Sequence, residues 1–109
     1  MSEGRCTVHV APQLVDFVRS QPPETRRRLR LALRALARGQ GDIKALEGAL
    51  TGYHRLRVGA SRVIVRFGTR PGGHPAVYCI FAERRSLVYL LLEDFLHRGL
   101  VEAPPTASR

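Results

Sequence analysis

Apolar positions in the first 40 residues predict a strand followed by two helices. Valines alternate with polar residues over about residues 5–10, which is the pattern of a short strand. Pro12 suits the first turn of a helix, and a Gln-Pro-Pro-Glu stretch at 21–24 separates that helix from a second one ending near Gly39. The second helix has leucines at spacings of four and three residues: Leu29, Leu33 and Leu36. An antiparallel helical hairpin is therefore expected after the first strand.

The period of the pattern changes from 3.6 to 2 after residue 48. Alternation predicts strands over residues 53–58, 62–67 and 76–82, with a tight turn between the first two. A stretch rich in glycine and proline at 69–75 predicts a longer, flexible loop. Leucines at helical spacing then predict a last helix over residues 86–97.

The predicted order β-α-α-β-β-β-α defines an α+β fold. Three consecutive strands with short connections favour a small antiparallel sheet, with the first strand added at an edge and the N-terminal helical hairpin packed on one face. We expect one domain over residues 1–99 and a tail over residues 100–109 without fixed structure.

The charge of the chain indicates a polyanionic partner. Eighteen basic residues face nine acidic ones, for a formal net charge of +9, and Lys44 is the only lysine among them. Such a field suits nucleic acid, because each neutralised phosphate releases condensed counterions. The alternative is an ordinary basic surface without a polyanionic partner, whose excess of arginine reflects the base composition of the genome.

Other features of the sequence limit the cellular compartment and the cofactors that we expect for the protein. Cys6 and Cys79 have no partners at metal-ligand spacing and are expected to be reduced, buried, small hydrophobes. No apolar stretch follows Met1, and the longest apolar run, residues 88–92, is too short to span a bilayer. We expect a cytoplasmic protein with no membrane contact, no metal and no cofactor.

One face of the predicted sheet is rich in arginine. Strand alternation places Tyr53 beside two arginines of its strand, and Ile64 beside two arginines of the next. These four arginines are Arg55, Arg57, Arg62 and Arg66. Like charges opposite each other across a hairpin are destabilising, and neither strand carries a carboxylate. The pattern therefore favours an anion-binding face over an ordinary solvated one.

The sequence resembles a known family, most specifically in its second half. The segments Leu-Glu-Gly at 46–48, Tyr-His-Arg-Leu-Arg-Val-Gly at 53–59, Arg-Val-Ile at 62–64, Glu-Arg-Arg at 83–85 and Val-Tyr at 88–89 resemble the RelE/ParE superfamily of toxins from toxin–antitoxin systems. The resemblance covers about residues 8–95. It implies a small antiparallel sheet packed against a helical hairpin, and either messenger-RNA cleavage, often at the ribosome, or gyrase poisoning.

The resemblance also implies a set of site residues. Catalytic roles fall on Arg55, Arg62, Arg84 and Tyr89, with the arginines stabilising the phosphate and the tyrosine able to stack on a base. Substrate binding is expected, from the pattern of charges rather than from the resemblance, at Tyr53, Arg57 and Arg66 on the arginine-rich face and at Arg85 on its rim.

The general base stays open at this stage. Arginine is always protonated, and alternation directs His54 toward the apolar face, which leaves His97 and Glu83 as candidates. Three hypotheses follow: an endonuclease toxin acting on messenger RNA, free or held on the ribosome; a ParE-like gyrase inhibitor; and a catalytically degenerate RNA-binding relative. A toxin of either active kind needs a separate antitoxin protein as partner.

Overall fold

A five-stranded sheet with helices on both faces organises the protein. The computed structural model describes residues 6–85 and 87–99. The elements in chain order are β1 (Thr7–Val10), α1 (Pro12–Arg19), α2 (Pro23–Leu36), β2 (Asp42–Ala45), a 3-10 turn (Gly48–Leu50), β3 (His54–Val58), β4 (Ser61–Arg70), β5 (His74–Arg84) and α3 (Val88–His97). The strands lie in the order β1-β5-β4-β3-β2. The α+β prediction is confirmed, and the predicted tail at 100–109 lies outside the described residues.

The sheet is mixed rather than wholly antiparallel. Strands β2 to β5 pair antiparallel, whereas β1 pairs parallel to β5 at the edge. A parallel neighbour requires a long crossover, and here α1, α2 and the rest of the sheet lie between the two strands in sequence. The predicted edge position of the first strand is therefore correct, and only its direction differs from a simple meander.

The hairpin of α1 and α2 covers one face of the sheet, as predicted. Each helix begins with a proline in its first turn and buries one apolar stripe. The core on this hairpin face contains Leu14, Phe17, Val18, Leu29 and Leu36 of the helices and Leu56, Val63, Val65, Val77, Cys79 and Ala82 near or on the strands. Burial raises the pKa of the Cys79 thiol to about 12, so this cysteine stays protonated at neutral pH.

Helix α3 covers part of the opposite face, which we call the arginine face because Arg55, Arg57 and Arg62 lie on it. A second core cluster forms there from Tyr53, Ile64, Phe81, Val88 and Leu92, with Leu50 beside them. The sequence pattern predicted no helix over this face. Apolar side chains interleaved with its arginines require a cover, and α3 supplies that cover.

A bulge in β5 makes the two cores compatible. Ile64 pairs with Phe81, but the next residue, Val65, pairs with Cys79, so β5 carries one extra residue at Ile80. The extra residue reverses the alternation of β5. Phe81 therefore faces α3, whereas Cys79 faces the helical hairpin.

Two sequence expectations need correction. Strand β2 was not predicted, because it has four residues and only half-buried Ile43 marks its inner face. The long flexible loop predicted at 69–75 is instead a tight turn, since β4 runs to Arg70 and β5 begins at His74. Gly72 and Gly73 adopt positive φ angles of 95° and 85°, which permits this close reversal. No helix among residues 6–85 and 87–99 is long and apolar enough to cross a membrane.

Candidate functional site

Five side chains from three parts of the fold line a cavity of about 370 Å³ on the arginine face. They are Arg55, Arg57, Arg62, Arg85 and Tyr89. The first three come from the β3–β4 hairpin, Arg85 follows β5, and Tyr89 lies in the first turn of α3. The backbone N–H of Arg85 donates to the carbonyl of Ala60 at 2.9 Å, which joins the end of β5 to the hairpin turn. The cavity thus forms where the hairpin turn, the end of β5 and the start of α3 meet.

The tight β3–β4 turn brings two arginines directly opposite each other. Arg57 and Arg62 are Cα partners across the hairpin, and Gly59 adopts a φ of 59° in the turn between them. Two like charges in this arrangement repel and lower the stability of the hairpin. An anion bound between them would remove that repulsion.

Arg62 is the most firmly held of the cavity arginines. Its exposed fraction is only 7%, and its Nη1 donates to the carbonyl oxygens of Gly59 at 2.8 Å and Ser61 at 2.9 Å. Among the residues that the structure describes, its guanidinium has no carboxylate partner. A buried cation fixed by neutral carbonyls is pre-organised to hold an anion.

Arg55 has a carboxylate partner that the sequence analysis did not foresee. Its Nη1 lies 3.1 Å from Asp42 Oδ1 and 2.9 Å from the Asp42 carbonyl oxygen, and its side chain is 17% exposed. Asp42 belongs to β2, the unpredicted strand. This pair fixes Arg55 and compensates its charge, whereas Arg57, Arg62 and Arg85 have no carboxylate partner within the described part of the chain.

A second cavity of about 300 Å³ adjoins the first and shares Arg55 and Tyr89 with it. Lys44 and Glu47, with Ala45 and Leu46, form its remaining lining. Lys44 lies in β2 directly opposite Arg55. The sequence pattern did not indicate Lys44 and Glu47 as site residues, because no element was predicted between the second helix and residue 48. The alternation of Asp42 and Lys44 with Ile43 was the available signal, too short to distinguish from chance.

Three residues of the sequence-predicted site do not line these cavities. Tyr53 is fully buried in the core under α3. Arg66 lies further along β4, with its guanidinium over the ring of Tyr78. Arg84 lines a separate cavity near the end of α1, since its strand partner is Ser61 while its neighbour Glu83 pairs with Arg62. Alternation therefore turns Arg84 away from the arginine face, and the arginine at the cavity is Arg85.

The sequence-predicted proton acceptors do not line the two cavities, although Glu83 is the strand partner of Arg62. His54 faces the hairpin side, where its ring meets Phe67 edge to face at 4.8 Å between centroids. His97 Nδ1 lies 2.9 Å from the carbonyl oxygen of Glu93, near the end of α3. Glu83 Oε1 accepts a hydrogen bond from the Arg84 backbone N–H at 3.0 Å. None of the three lines the cavity.

Comparison with known proteins places the fold. No protein-family model and no curated protein sequence matches the chain. Solved structures do match it. The RelB-RelE antitoxin–toxin complex from Methanococcus jannaschii is 20% identical with a TM-score of 0.54, over 76% of this chain and 96% of that one.

Two further complexes agree. The toxin–antitoxin complex RelBE2 from Mycobacterium tuberculosis is 19% identical with a TM-score of 0.55, over 74% of this chain and 99% of that one. The RelE-RelB complex from Pyrococcus horikoshii is 24% identical with a TM-score of 0.55, over 78% and 97% of the two chains. The chain is thus a small α+β protein with a basic cavity on its sheet. Its fold is that of the RelE toxins, as the resemblance in the sequence implied.

Proposed function

We propose that this protein is the toxin of a toxin–antitoxin system and cleaves messenger RNA. The observation that carries the proposal is the cavity in which Arg57, Arg62 and Arg85 meet Tyr89 with no compensating carboxylate from residues 6–85 and 87–99. The RelE-type fold supports the toxin role. A gyrase inhibitor binds a protein and requires no group of cations arranged to stabilise a phosphate, so the cavity favours the nuclease.

The proposed reaction is attack by a ribose 2′-hydroxyl on the adjacent phosphate. The O–P bond that forms closes a cyclic phosphate, the bond to the 5′-oxygen of the next nucleotide breaks, and that oxygen takes a proton from water and leaves as a hydroxyl. The attacked phosphate gains negative charge in the transition state, and pre-organised donors stabilise that charge most effectively. Arg62 is suited to this role because two carbonyls already fix its guanidinium.

Proton transfer requires a group other than arginine, which stays protonated at any working pH. Glu47 and Lys44 line the adjoining cavity together with Arg55 and Tyr89. We assign the removal of the 2′-hydroxyl proton to Glu47, since a carboxylate accepts a proton without first losing one. His54, His97 and Glu83 line neither of the two cavities, and the Glu83 carboxylate accepts a hydrogen bond from the Arg84 backbone N–H, so this assignment does not require them.

Primer extension on messenger RNA held in purified ribosomes tests the proposal. Discrete cleavage ends that appear only with the protein are expected, and the same RNA without ribosomes reveals whether ribosomes are needed. A gyrase supercoiling assay runs in parallel. Absence of cleavage in both RNA samples, together with inhibited supercoiling, would replace the nuclease with a gyrase poison.

Replacement of Tyr89 separates stacking from proton transfer. Tyr89 is half-buried and lines both cavities. Stacking on a base contributes about 1–3 kcal/mol, so Tyr89→Ala should lower cleavage roughly 10- to 100-fold. Tyr89→Phe keeps the ring and should retain activity within about threefold. Equal losses in both variants, measured by single-turnover cleavage, would instead give the hydroxyl a chemical role.

We further propose a cognate antitoxin as the partner of this chain, in line with the antitoxin-bound state of the similar structures. The positive charge of the arginine face calls for acidic residues, and Leu31 on α2 and Leu90 on α3, exposed by 51% and 68%, offer apolar contacts. Expression of the toxin alone should arrest growth, and co-expression of its antitoxin should restore it. Harmless expression of the folded protein alone would contradict this proposal.

A further inference from the structure

A second group of basic and aromatic side chains lies on the arginine face, further along β4 from the cavity. Its centre is a row across three strands, in which Tyr78 of β5 is the Cα partner of both His9 of β1 and Arg66 of β4. The His9 and Tyr78 rings stack with centroids 4.9 Å apart and planes 16° apart. The Arg66 Cζ lies 4.3 Å from the Tyr78 centroid. Tyr78 therefore contacts a stacked imidazole and a guanidinium within one row across three strands.

Two further residues of β4 belong to this arrangement. Arg70 lies on the same face as Arg66, and its Nη1 donates to Thr7 Oγ1 of β1 at 3.4 Å, which spans the intervening strand. Between the two arginines, Gly68 lets the tyrosine ring approach the strand, because a Cβ there would lie 3.3 Å from Tyr78 Cε2. We call His9, Arg66, Arg70 and Tyr78 the second basic patch. Its side chains are held by one another rather than loose in solvent.

The strands that form the second basic patch favour an anion. Strands β1 and β4 contain no acidic residue, and the only one in β5, Glu83, lies near the cavity at the other end of the strand. His9 Nε2 is buried and has no hydrogen-bond partner among residues 6–85 and 87–99. A guanidinium already held over an aromatic ring loses little side-chain freedom when it binds a phosphate. Arginines beside aromatic rings are the chemistry of single-stranded RNA binding.

We propose that the second basic patch binds the backbone of the RNA substrate several nucleotides away from the cleaved bond. This inference rests on the proposed function for the identity of the polyanion. Arg62 and Arg70 stand eight positions apart in β4. At about 3.3 Å per residue the separation along the strand is about 26 Å, or roughly eight nucleotides at a stacked spacing of about 3.4 Å. A short RNA can therefore occupy the cavity alone, whereas a longer one reaches both sites.

Binding of two RNA lengths tests the proposal. Fluorescently labelled 2′-O-methyl RNAs of 4 and 12 nucleotides, which cannot undergo 2′-hydroxyl attack, are titrated with the protein at several salt concentrations. The test variant is Arg66→Gln with Arg70→Gln. The control is Arg30→Gln with Arg34→Gln, which removes the same charge from exposed positions of α2.

We expect the test variant to bind the 12-nucleotide RNA about tenfold more weakly than the wild type. A plot of the logarithm of its binding constant against the logarithm of salt concentration should be shallower by about 0.7 per lost phosphate contact. For two lost contacts the slope should therefore change by about 1.4. The 4-nucleotide RNA spans about 13 Å and reaches Arg66 at most, so its slope should fall by no more than about 0.7, and the control should retain the wild-type slope. Arg70→Gln alone should produce about half the change in slope. Because Arg70 is exposed, this single variant keeps the test valid if the double variant misfolds.

Several outcomes would overturn the second basic patch as an RNA site. These are equal losses in test and control variants, equal losses for both RNA lengths, no RNA binding by the wild type, or loss of antitoxin capture with RNA binding intact. Cleavage on ribosomes without any length-specific loss of binding would support the nuclease and rule out the second basic patch as an RNA site. A length-specific loss of RNA binding in a protein that cleaves no RNA would support the second basic patch and contradict the proposed nuclease.

Discussion

Arg62→Ala is expected to reduce messenger-RNA cleavage by roughly 100- to 1,000-fold, the effect of removing one pre-organised donor from a charged transition state. The guanidinium of Arg62 is 7% exposed and already held by two carbonyl oxygens, so little reorganisation accompanies phosphate binding. Alanine removes both the charge and the planar donor pair. Primer extension on ribosome-held messenger RNA measures the loss.

Two control variants make the Arg62 result specific. Arg30→Ala removes the same charge from an exposed position of α2 and should retain activity. Arg62→Lys keeps the charge without the planar fork, and its activity should lie between those of alanine and the wild type. The Gly59 and Ser61 carbonyls lose their donor in the alanine variant, at a cost of about 1–3 kcal/mol, so its folding is checked by circular dichroism. Cleavage by a folded Arg62→Ala protein within threefold of the wild type would remove Arg62 from the reaction.

Phe81→Ala is expected to lower the free energy of unfolding by about 3–5 kcal/mol, the usual cost of removing a buried aromatic ring. Phe81 is 2% exposed in the second core cluster, and its ring meets Phe95 edge to face with centroids 5.1 Å apart. That contact is the junction between β5 and α3. Urea unfolding followed by circular dichroism measures the change.

The matched control for Phe81 lies on the same helix junction. Leu90→Ala truncates a side chain that is 68% exposed and should change the free energy of unfolding by no more than about 0.5 kcal/mol. Because α3 also presents Tyr89 to the cavity, Phe81→Ala should impair cleavage even at temperatures where the protein stays folded. A destabilisation below about 1 kcal/mol would mean that α3 is held to the sheet by other contacts.

The sequence was sufficient for the general form of the fold. The 3.6-residue spacing of Leu29, Leu33 and Leu36 gave α2, and period-2 alternation gave β3, β4 and β5, because both patterns follow from backbone geometry alone. Strand β2 was not predicted because four edge residues with one half-buried side chain carry almost no periodic signal. Asp42 and Lys44 belong to β2 and Glu47 follows it, so missing this strand explains why the carboxylate that pairs with Arg55 was not anticipated.

Within the candidate site, local alternation placed Arg55, Arg57 and Arg62 on one face correctly, since all three lie in a regular hairpin. The same rule could not choose between Arg84 and Arg85. That choice depends on the pairing of Glu83 with Arg62, which spans the sheet and is absent from any local pattern. The burial of Tyr53 could not be predicted from local alternation either. Alternation gives the face of the sheet on which Tyr53 lies, but only the docking of α3 covers that face.

The sequence by itself determined the element types, the excess of arginine and the face on which the hairpin arginines lie. Only the tertiary structure decided which cations converge and which are compensated. The bulge at Ile80 directs Phe81 toward α3, the docking of α3 brings Tyr89 to the cavity, and β2 brings Asp42 to Arg55. Each of these depends on strand register and on contacts between distant segments. A periodic pattern reports the direction of a side chain within its own element, but not which element lies opposite.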